Sequence, residues 1–584
     1  MTTPRTPPTG SPDVLPLAVD LHRQGRLTEA ARLYRQVLQR NPNRTQALYL
    51  LGITELATGK FQKAANLIAR SIRTEAGFAP AHVNLGIALM CLGRNTEALG
   101  SFDRAIAIAP DFTDAHYNRG ILLKDVGRHS EALASFDITV AQQPSLAEAH
   151  NNRGLTLNAI GRHQEALACF DRAIALRPDL PEAHHNRGNE FIGLDRPDDA
   201  LACFDRAIAL RPDLAEAWCN RGDSLTDLKR PEEALASFDK AIALRPKLAE
   251  AHFGRSLTRL LVGQYEQGFR DFEWRLRRTS YVGRRSLPRP VWLGDRDIRG
   301  RTLFIYPELF LGDMIQFCRY AKLVEGLGAN VVLGVQAPLR PLLASLSPGI
   351  VLIDENALPD HYDFHCPLMS LPLAFRTTMA TVPGDVPYLH PEPGRVAAWR
   401  QRIGTDGFRV GICWLGSAAS ITMGRSFPLA LLADIARLPG TRLISLQTRL
   451  GSEKITELPA GMVVEDFADE TTGSLRPFTE TAAMMANLDL IITADTAIAH
   501  LAGALGRPTW VALKQVPDWR WGLESAATAW YPTWRLFRQM VRNEWPPVFA
   551  AMQEALVTTS GVIRGDCLKV GSGTNLLGRG QPRG

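Results

Sequence analysis

The sequence predicts an all-α superhelix followed by a pair of doubly wound α/β domains. Two observations carry that prediction. From about Asp13 the chain repeats every 34 residues, and such a period marks helix pairs that stack into a solenoid. From Thr302 onward, short apolar β-branched runs alternate with helical patterns, the rhythm of parallel sheets covered by helices. The length of 584 residues agrees, since it exceeds what a single core accommodates.

Composition narrows the class. The chain is 45% hydrophobic and 22% charged, with a formal net charge of +6, and no stretch concentrates Lys and Arg among aromatics. A nucleic-acid partner is therefore not expected. The eight cysteines include no Cys-x-x-Cys pair, and Cys169 and Cys203 recur at one repeat position. That points to packing in a reducing compartment, with neither disulfides nor a metal site. The start, Met-Thr-Thr-Pro-Arg-Thr-Pro-Pro, has no apolar signal core, and no run reaches the ~18 apolar residues of a membrane span. No transmembrane segment and a cytoplasmic location are expected. Residues 1–12, rich in Pro and Thr, and the Gly-rich tail 556–584 read as disordered.

The repeats occupy 13–284, about eight copies. Ala81, Ala115, Ala149, Ala183, Ala217 and Ala251 hold one place, and Gly86, Gly120, Gly154, Gly188 and Gly222 follow at a fixed offset. Gly25, Gly59, Gly93, Gly127, Gly161 and Gly263 mark a turn where Asp195 and Lys229 substitute, and Pro110, Pro144, Pro178, Pro212 and Pro246 close their units. Together these residues resemble the tetratricopeptide (TPR) repeat, whose superhelix implies a groove for a protein or peptide partner. Asn84, Asn118, Asn152, Asn186 and Asn220 recur in register. A side-chain amide donates and accepts at once, so such a ladder can hold a peptide backbone whatever its sequence. It is similar to the asparagine ladder of protein O-GlcNAc transferases. The same spacing also suits bridges between neighbouring helices. His82, His116, His150, His184 and His252 stand where a large aromatic usually packs.

The α/β part divides at about residue 400. In 285–400, strands are expected at Thr302–Tyr306, Asn330–Val335, Ile350–Ile353 and within Tyr362–Leu371, with a helix from about Met314. In 401–555, strands are expected at Arg409–Trp414, Arg442–Gln447, Leu490–Thr493 and Trp510–Leu513, with a short edge strand near Met462. Asp295-Arg-Asp297 has a metal-binding form but precedes every strand, so no metal is assigned to it. Between Leu490 and Pro508 the pattern is strand, tight turn, helix. The free N–H groups at that helix start suit a phosphate.

Several segments carry a family resemblance. Arg425-Ser-Phe-Pro-Leu, Leu446-Gln447, Phe478-Thr-Glu-Thr-Ala with Asn487-Leu-Asp-Leu, and Asp495-Thr-Ala-Ile-Ala-His-Leu-Ala-Gly-Ala-Leu-Gly-Arg-Pro resemble glycosyltransferase family 9, the heptosyltransferase-like enzymes. Pro517-Asp-Trp-Arg-Trp is similar to the subgroup that joins such a domain to TPR arrays. The resemblance covers about 285–555. It implies a GT-B fold, two Rossmann-like domains facing across a cleft, and inverting sugar transfer from a nucleotide-diphosphate sugar without a metal or other cofactor.

The resemblance also implies roles. Asp495 holds donor-sugar hydroxyls. The N–H groups of Thr496, Ala497 and Ile498 take the diphosphate, and His500 donates to a phosphate or sugar oxygen. Arg425 neutralises the diphosphate, Gln447 contacts the base or ribose, and Asp313 is the general base toward the acceptor hydroxyl. Related proteins usually read Glu-Gln-Gly-Leu-Gly-Asp where this chain reads Glu308-Leu-Phe-Leu-Gly-Asp313. That departure, at Leu309 and Phe310, favours a rival reading, a non-catalytic TPR scaffold with a degenerate sugar domain. A third reading is a heptosyltransferase acting on a lipid-linked saccharide.

Overall fold

The computed structural model describes residues 13–281, 283–308, 310–416, 424–447, 458–467 and 477–560. Leu309, and most of the loop after Gly416, lie outside the described residues. The chain forms two compact units, Met1–Ser224 and Leu225–Gly584.

After a first helix of 9 residues, Leu15–Arg23, the first unit is built from antiparallel helix pairs of 13 and 14 residues, of which Ala147–Ala159 and His163–Leu176 are typical. Sequence explains the tight crossing. A Cβ added at Gly154 would lie 2.6 Å from Cε1 of Phe170, and Gly86, Gly120 and Gly188 face Phe102, Phe136 and Phe204 in the same way. Glycine makes room for the buried ring sixteen residues on. The mid-repeat turns need φ near +75°, as at Gly127 (+79°), which glycine adopts freely. Asp195 adopts φ 57° without that advantage.

The recurring histidines tie repeats together. A ring nitrogen of His116, His150 and His184 bonds the carbonyl of Pro110, Pro144 and Pro178 at 2.9, 3.0 and 3.0 Å. Trp218 donates to Pro212 in their place at 3.0 Å. Arg119, Arg153, Arg187 and Arg221 reach the aspartate sixteen residues back at 2.6–2.9 Å. These pairs are half exposed and contribute little each.

In the second unit the helix pattern runs on through Ala249–Leu261, Tyr265–Phe272 and a 3-10 turn at Glu273–Arg277. Two parallel sheets follow. One holds β1 (Thr302–Tyr306), β2 (Asn330–Val335), β3 (Val351–Asp354) and β4 (Phe364–Pro367) in the order β3-β2-β1-β4. The other holds β5 (Phe408–Cys413), β6 (Thr441–Ser445), β7 (Val464–Glu465), β8 (Leu490–Ala494), β9 (Thr509–Leu513) and β10 (Trp534–Arg538) in the order β10-β9-β8-β5-β6-β7. Strands β8 and β9, central in the second sheet, are wholly buried, as parallel sheets require.

Three details differ from the sequence reading. The helix expected from Met314 begins at Leu311 and breaks at Cys318, which places Asp313 in its first turn. Strand β10 and the helix Pro393–Ile403 were not expected. The last helix, Pro546–Ser560, carries regular structure past Leu556, where a disordered tail was expected to begin.

Candidate functional site

In each sheet the strand order reverses beside one strand, β1 in the first and β5 in the second. Ligands of open α/β sheets collect at the carboxyl ends of strands at such points. Charged residues gather there. Asp313 follows β1, Arg425 lies on the segment between β5 and β6, and Asp495 directly follows β8.

Two more charged residues join them from the 3-10 turn Trp519–Trp521, where Asp518 is the N-cap and accepts from the backbone N–H of Arg520. The result is a row of alternating charge. Arg520 Nη2 donates to Asp313 Oδ1 at 2.6 Å and Nη1 to Asp518 Oδ1 at 2.8 Å. Arg520 Nε also donates to Gln316 Oε1 at 2.5 Å. Arg425 Nη2 donates to Asp518 Oδ2 at 3.2 Å, and its Nη1 stands 3.4 Å from Asp495 Oδ2. The order is Asp313, Arg520, Asp518, Arg425, Asp495.

Three carboxylates share two guanidiniums, and the sharing is unequal. Asp518 lies between both arginines, which hold its carboxyl well below the usual range. Asp313 has one arginine and heavy burial, and burial pushes its carboxyl up to about 6. Burial also raises Asp495 against the pull of Arg425. The two carboxyls that burial raises thus stand at the two ends of the row. No hydrogen bond from a described residue reaches Asp313 Oδ2.

At the other end stands the helix Ala497–Ala504, with Thr496 as N-cap and no side-chain cap bond. Asp495 therefore precedes the cap rather than forming it. Thr496 Oγ1 is buried without a hydrogen bond to nitrogen or oxygen, and so is Arg425 Nε. The first N–H groups of a helix have no intrahelical acceptor. Arg425 reaches the residue just before this helix start, Asp495, through Nη1.

His500 sits one turn on. It is 6% exposed, its Nδ1 is 3.0 Å from Tyr531 Oη, and its ring lies against Trp521, Tyr531 and Trp534. Burial holds its imidazole well below the usual range, so it is neutral. The Leu311–Phe317 helix comes close to this one: a Cβ on Gly312 would lie 3.0 Å from His500 Cδ2 and 3.6 Å from Ala497 Cα.

The structure thus brings together Asp313, Arg425, Asp495, Thr496, Ala497 and Ile498, with His500 packed beneath them. Gln447 is held by the backbone of Leu415. Its Oε1 accepts from the backbone N–H of Leu415 at 3.1 Å, and its Nε2 donates to the Leu415 carbonyl at 3.1 Å. The amide pins the chain leaving β5 and is committed there. Sequence reasoning missed Asp518 and Arg520 as site residues. The signal was present in Pro517-Asp-Trp-Arg-Trp, but charges in a turn show no partner until the chain folds.

The asparagine ladder bridges repeats. Asn84 Nδ2 donates to Tyr49 Oη at 2.9 Å and to Pro80 O at 3.0 Å, and Asn152 Nδ2 donates to Tyr117 Oη and Glu148 O, both at 3.1 Å. Asn186 and Asn220 reach residues 151 and 185 of the preceding repeat, while Asn118 donates to Asp114 O at 2.8 Å. Donor capacity is largely spent within the array.

Comparison with known proteins gives the class. The tetratricopeptide repeat model matches residues 15–80, 52–112, 117–181 and 185–249. The model of glycosyltransferase family 9 (heptosyltransferase) matches residues 468–513, the segment that carries β8 and the helix after it. The chain thus carries TPR repeats within residues 15–249 and, toward its C-terminus, a segment that matches glycosyltransferase family 9. It is similar to Protein FlbA of Caulobacter vibrioides, 27% identical over 328 residues, which cover 52% of this chain and 54% of that one. The chain thus spans about half the length of the curated relative it matches.

Solved TPR proteins are similar to part of the chain. TTC0263, a thermophilic TPR protein in Thermus thermophilus, is 25% identical over 31% of this chain and 100% of its own, with a TM-score of 0.28. YrrB, described as a TPR protein with an unusual peptide-binding site, is 23% identical over 33% of this chain and 100% of its own, with a TM-score of 0.29. Among the described residues no helix is long and apolar enough to cross a membrane.

Proposed function

We propose that this protein is an inverting, metal-independent glycosyltransferase of GT-B type. It moves a sugar from a nucleotide-diphosphate sugar to an acceptor, a polypeptide held by the TPR array. The observation that carries this reading is the partly buried row of alternating charge from Asp313 to Asp495, which ends beside a helix start with no side-chain cap. The family 9 match over 468–513 supports the donor half.

The chemistry follows the row. The N–H groups of Thr496, Ala497 and Ile498 take the diphosphate, and Arg425 adds charge to it. Its Nε and Thr496 Oγ1 gain the hydrogen bonds that they lack. Asp495 accepts from hydroxyls of the donor sugar. Asp313 Oδ2 takes the proton of the acceptor hydroxyl as that oxygen attacks the anomeric carbon. The bond from the anomeric carbon to the diphosphate breaks, and its electron pair leaves with the diphosphate. Arg520, bonded to Oδ1, holds the carboxylate in orientation. In the array, the Oδ1 atoms of Asn84 and Asn118 remain to accept from a peptide backbone.

Thermal shift against a panel of nucleoside diphosphates and their sugars tests the donor site. At least one member is expected to raise the melting temperature of the folded protein. Silence across the whole panel favours the scaffold reading. Asp313→Ala is expected to keep nucleotide binding and to lower transfer by about 100-fold or more, the scale of a lost general base. Transfer retained by that variant sinks Asp313 as base.

A further inference from the structure

The 3-10 turn Glu273–Arg277, which ends the last helix pair, buries an arginine completely. Arg275 is 2% exposed, and the side chain of its partner Glu308 is 1% exposed. All five N–H donors of Arg275 are met. Nε and Nη2 fork onto Glu308 at 2.8 and 3.0 Å, Nη1 donates to Glu273 Oε1 at 2.7 Å and to Phe272 O at 3.2 Å, and Nη2 donates to Ser370 Oγ at 2.8 Å. Glu308 also accepts from the Met369 N–H at 2.8 Å and from the Tyr281 hydroxyl. It lies two residues past β1 and five before Asp313.

A second tie runs to the turn that carries Arg520. Tyr265 Oη accepts from Trp530 Nε1 at 3.1 Å, and the rings of Tyr265 and Phe269 stand edge-on to Trp519 at 6.0 and 5.6 Å. Trp519 separates Asp518 from Arg520. Replacing a buried ion pair by apolar side chains is often neutral or stabilising, so Arg275–Glu308 is poorly explained as a source of stability. Its geometric consequence is the placement of the chain that leaves β1.

We propose that the last helix pair, Ala249–Phe272 with its 3-10 turn, is a positioning element of the sugar-transfer site. Arg275 acts through Glu308 on the turn that carries Asp313, and Tyr265 and Phe269 act through Trp519 on the Asp518–Arg520 turn. The proposal deepens the reading of Asp313 as base and rests on it for its catalytic consequence. The sugar domain then does not start where the α/β rhythm begins; its site is completed by the end of the repeats.

Hydrogen exchange on the full chain tests this. Arg275→Lys keeps the charge and loses the fork. It is expected to speed exchange over residues 310–317 by about tenfold, the scale of one lost charge-assisted bond, while residues 490–504 stay within about twofold. If a donor is hydrolysed, kcat falls and the KM for the donor does not. Unchanged protection over 310–317 overturns the proposal, and so does equal loosening of both segments, since that is plain loss of stability. If Arg275→Lys does not fold, Tyr281→Phe removes one donor to Glu308, and the same contrast decides. Nucleotide binding by the unaltered protein is scored separately. Its absence defeats the transferase reading, and the exchange contrast still judges the positioning role.

Discussion

At the scale of the residue, the site is governed by how carboxylates divide arginines. Asp518 takes two and stays ionised, while Asp313 takes one and titrates at about 6. A base must be deprotonated, so the rate is expected to rise about tenfold per pH unit below about 6 and to level off above it. Arg520 favours the ionised form of Asp313, so Arg520→Gln is expected to move that limb to higher pH. A limb that stays in place in a pH–rate profile would assign the base to another group. The sign for stability is opposite to that of an ordinary ion-paired acid. The folded pKa lies above the ordinary value of 3.8, so the folded state holds the extra proton between about 4 and 6. In that window ionising Asp313 works against the fold as pH rises. Phe310 belongs to this scale too. Related proteins carry a glycine there, a residue free to take unusual φ, yet Phe310 has φ −108° and ψ 143°, ordinary extended backbone. The substitution therefore costs no strain, and it leaves a side chain that is 60% exposed near the proposed acceptor side.

At the scale of the element, the helix Ala497–Ala504 supports the proposed donor side, and its back is shaped for one aromatic ring. A Cβ on Gly503 would lie 2.6 Å from Cε1 of Tyr531, whose hydroxyl meets His500 Nδ1 at 3.0 Å. Gly503→Ala must move a fully buried ring, and overpacking of this kind costs about 1–3 kcal/mol. The expected result is a lower denaturation midpoint with an unchanged m value. A midpoint equal to that of the unaltered protein would mean that Tyr531 yields without cost. The sequence identified this helix through its apolar pattern and the glycines around it. It could not show that Gly503 serves a ring 28 residues away.

At the scale of the whole molecule, the chain joins a one-dimensional lattice to a packed α/β unit. In a solenoid each repeat is stabilised chiefly by its neighbours, so a lesion weakens the repeats beside it and fades with distance. Gly154→Ala drives a Cβ into the Phe170 ring and is expected to cost about 1–3 kcal/mol. Exchange should quicken over residues 113–210, with little change over 490–513. Loosening that reaches 490–513 equally would show one cooperative unit. Compactness and period divide this chain at different places. The 34-residue pattern continues to the last helix pair, whereas the second compact unit begins at Leu225.

What the sequence determined by itself was whatever a local rule enforces: the period of the repeats, the glycine turns, the buried strands and the strand–turn–helix at Asp495. Those features need only spacing and side-chain type. The tertiary structure decided which charges meet. Asp313 and Arg520 are far apart in the chain and stand 2.6 Å apart in space, and Arg275 and Glu308 meet across the start of the first sheet. It also tied Gln447 to Leu415 and closed the donor side of the asparagine ladder onto neighbouring repeats. Pairing between residues remote in sequence depends on how whole elements pack, and no local pattern encodes it.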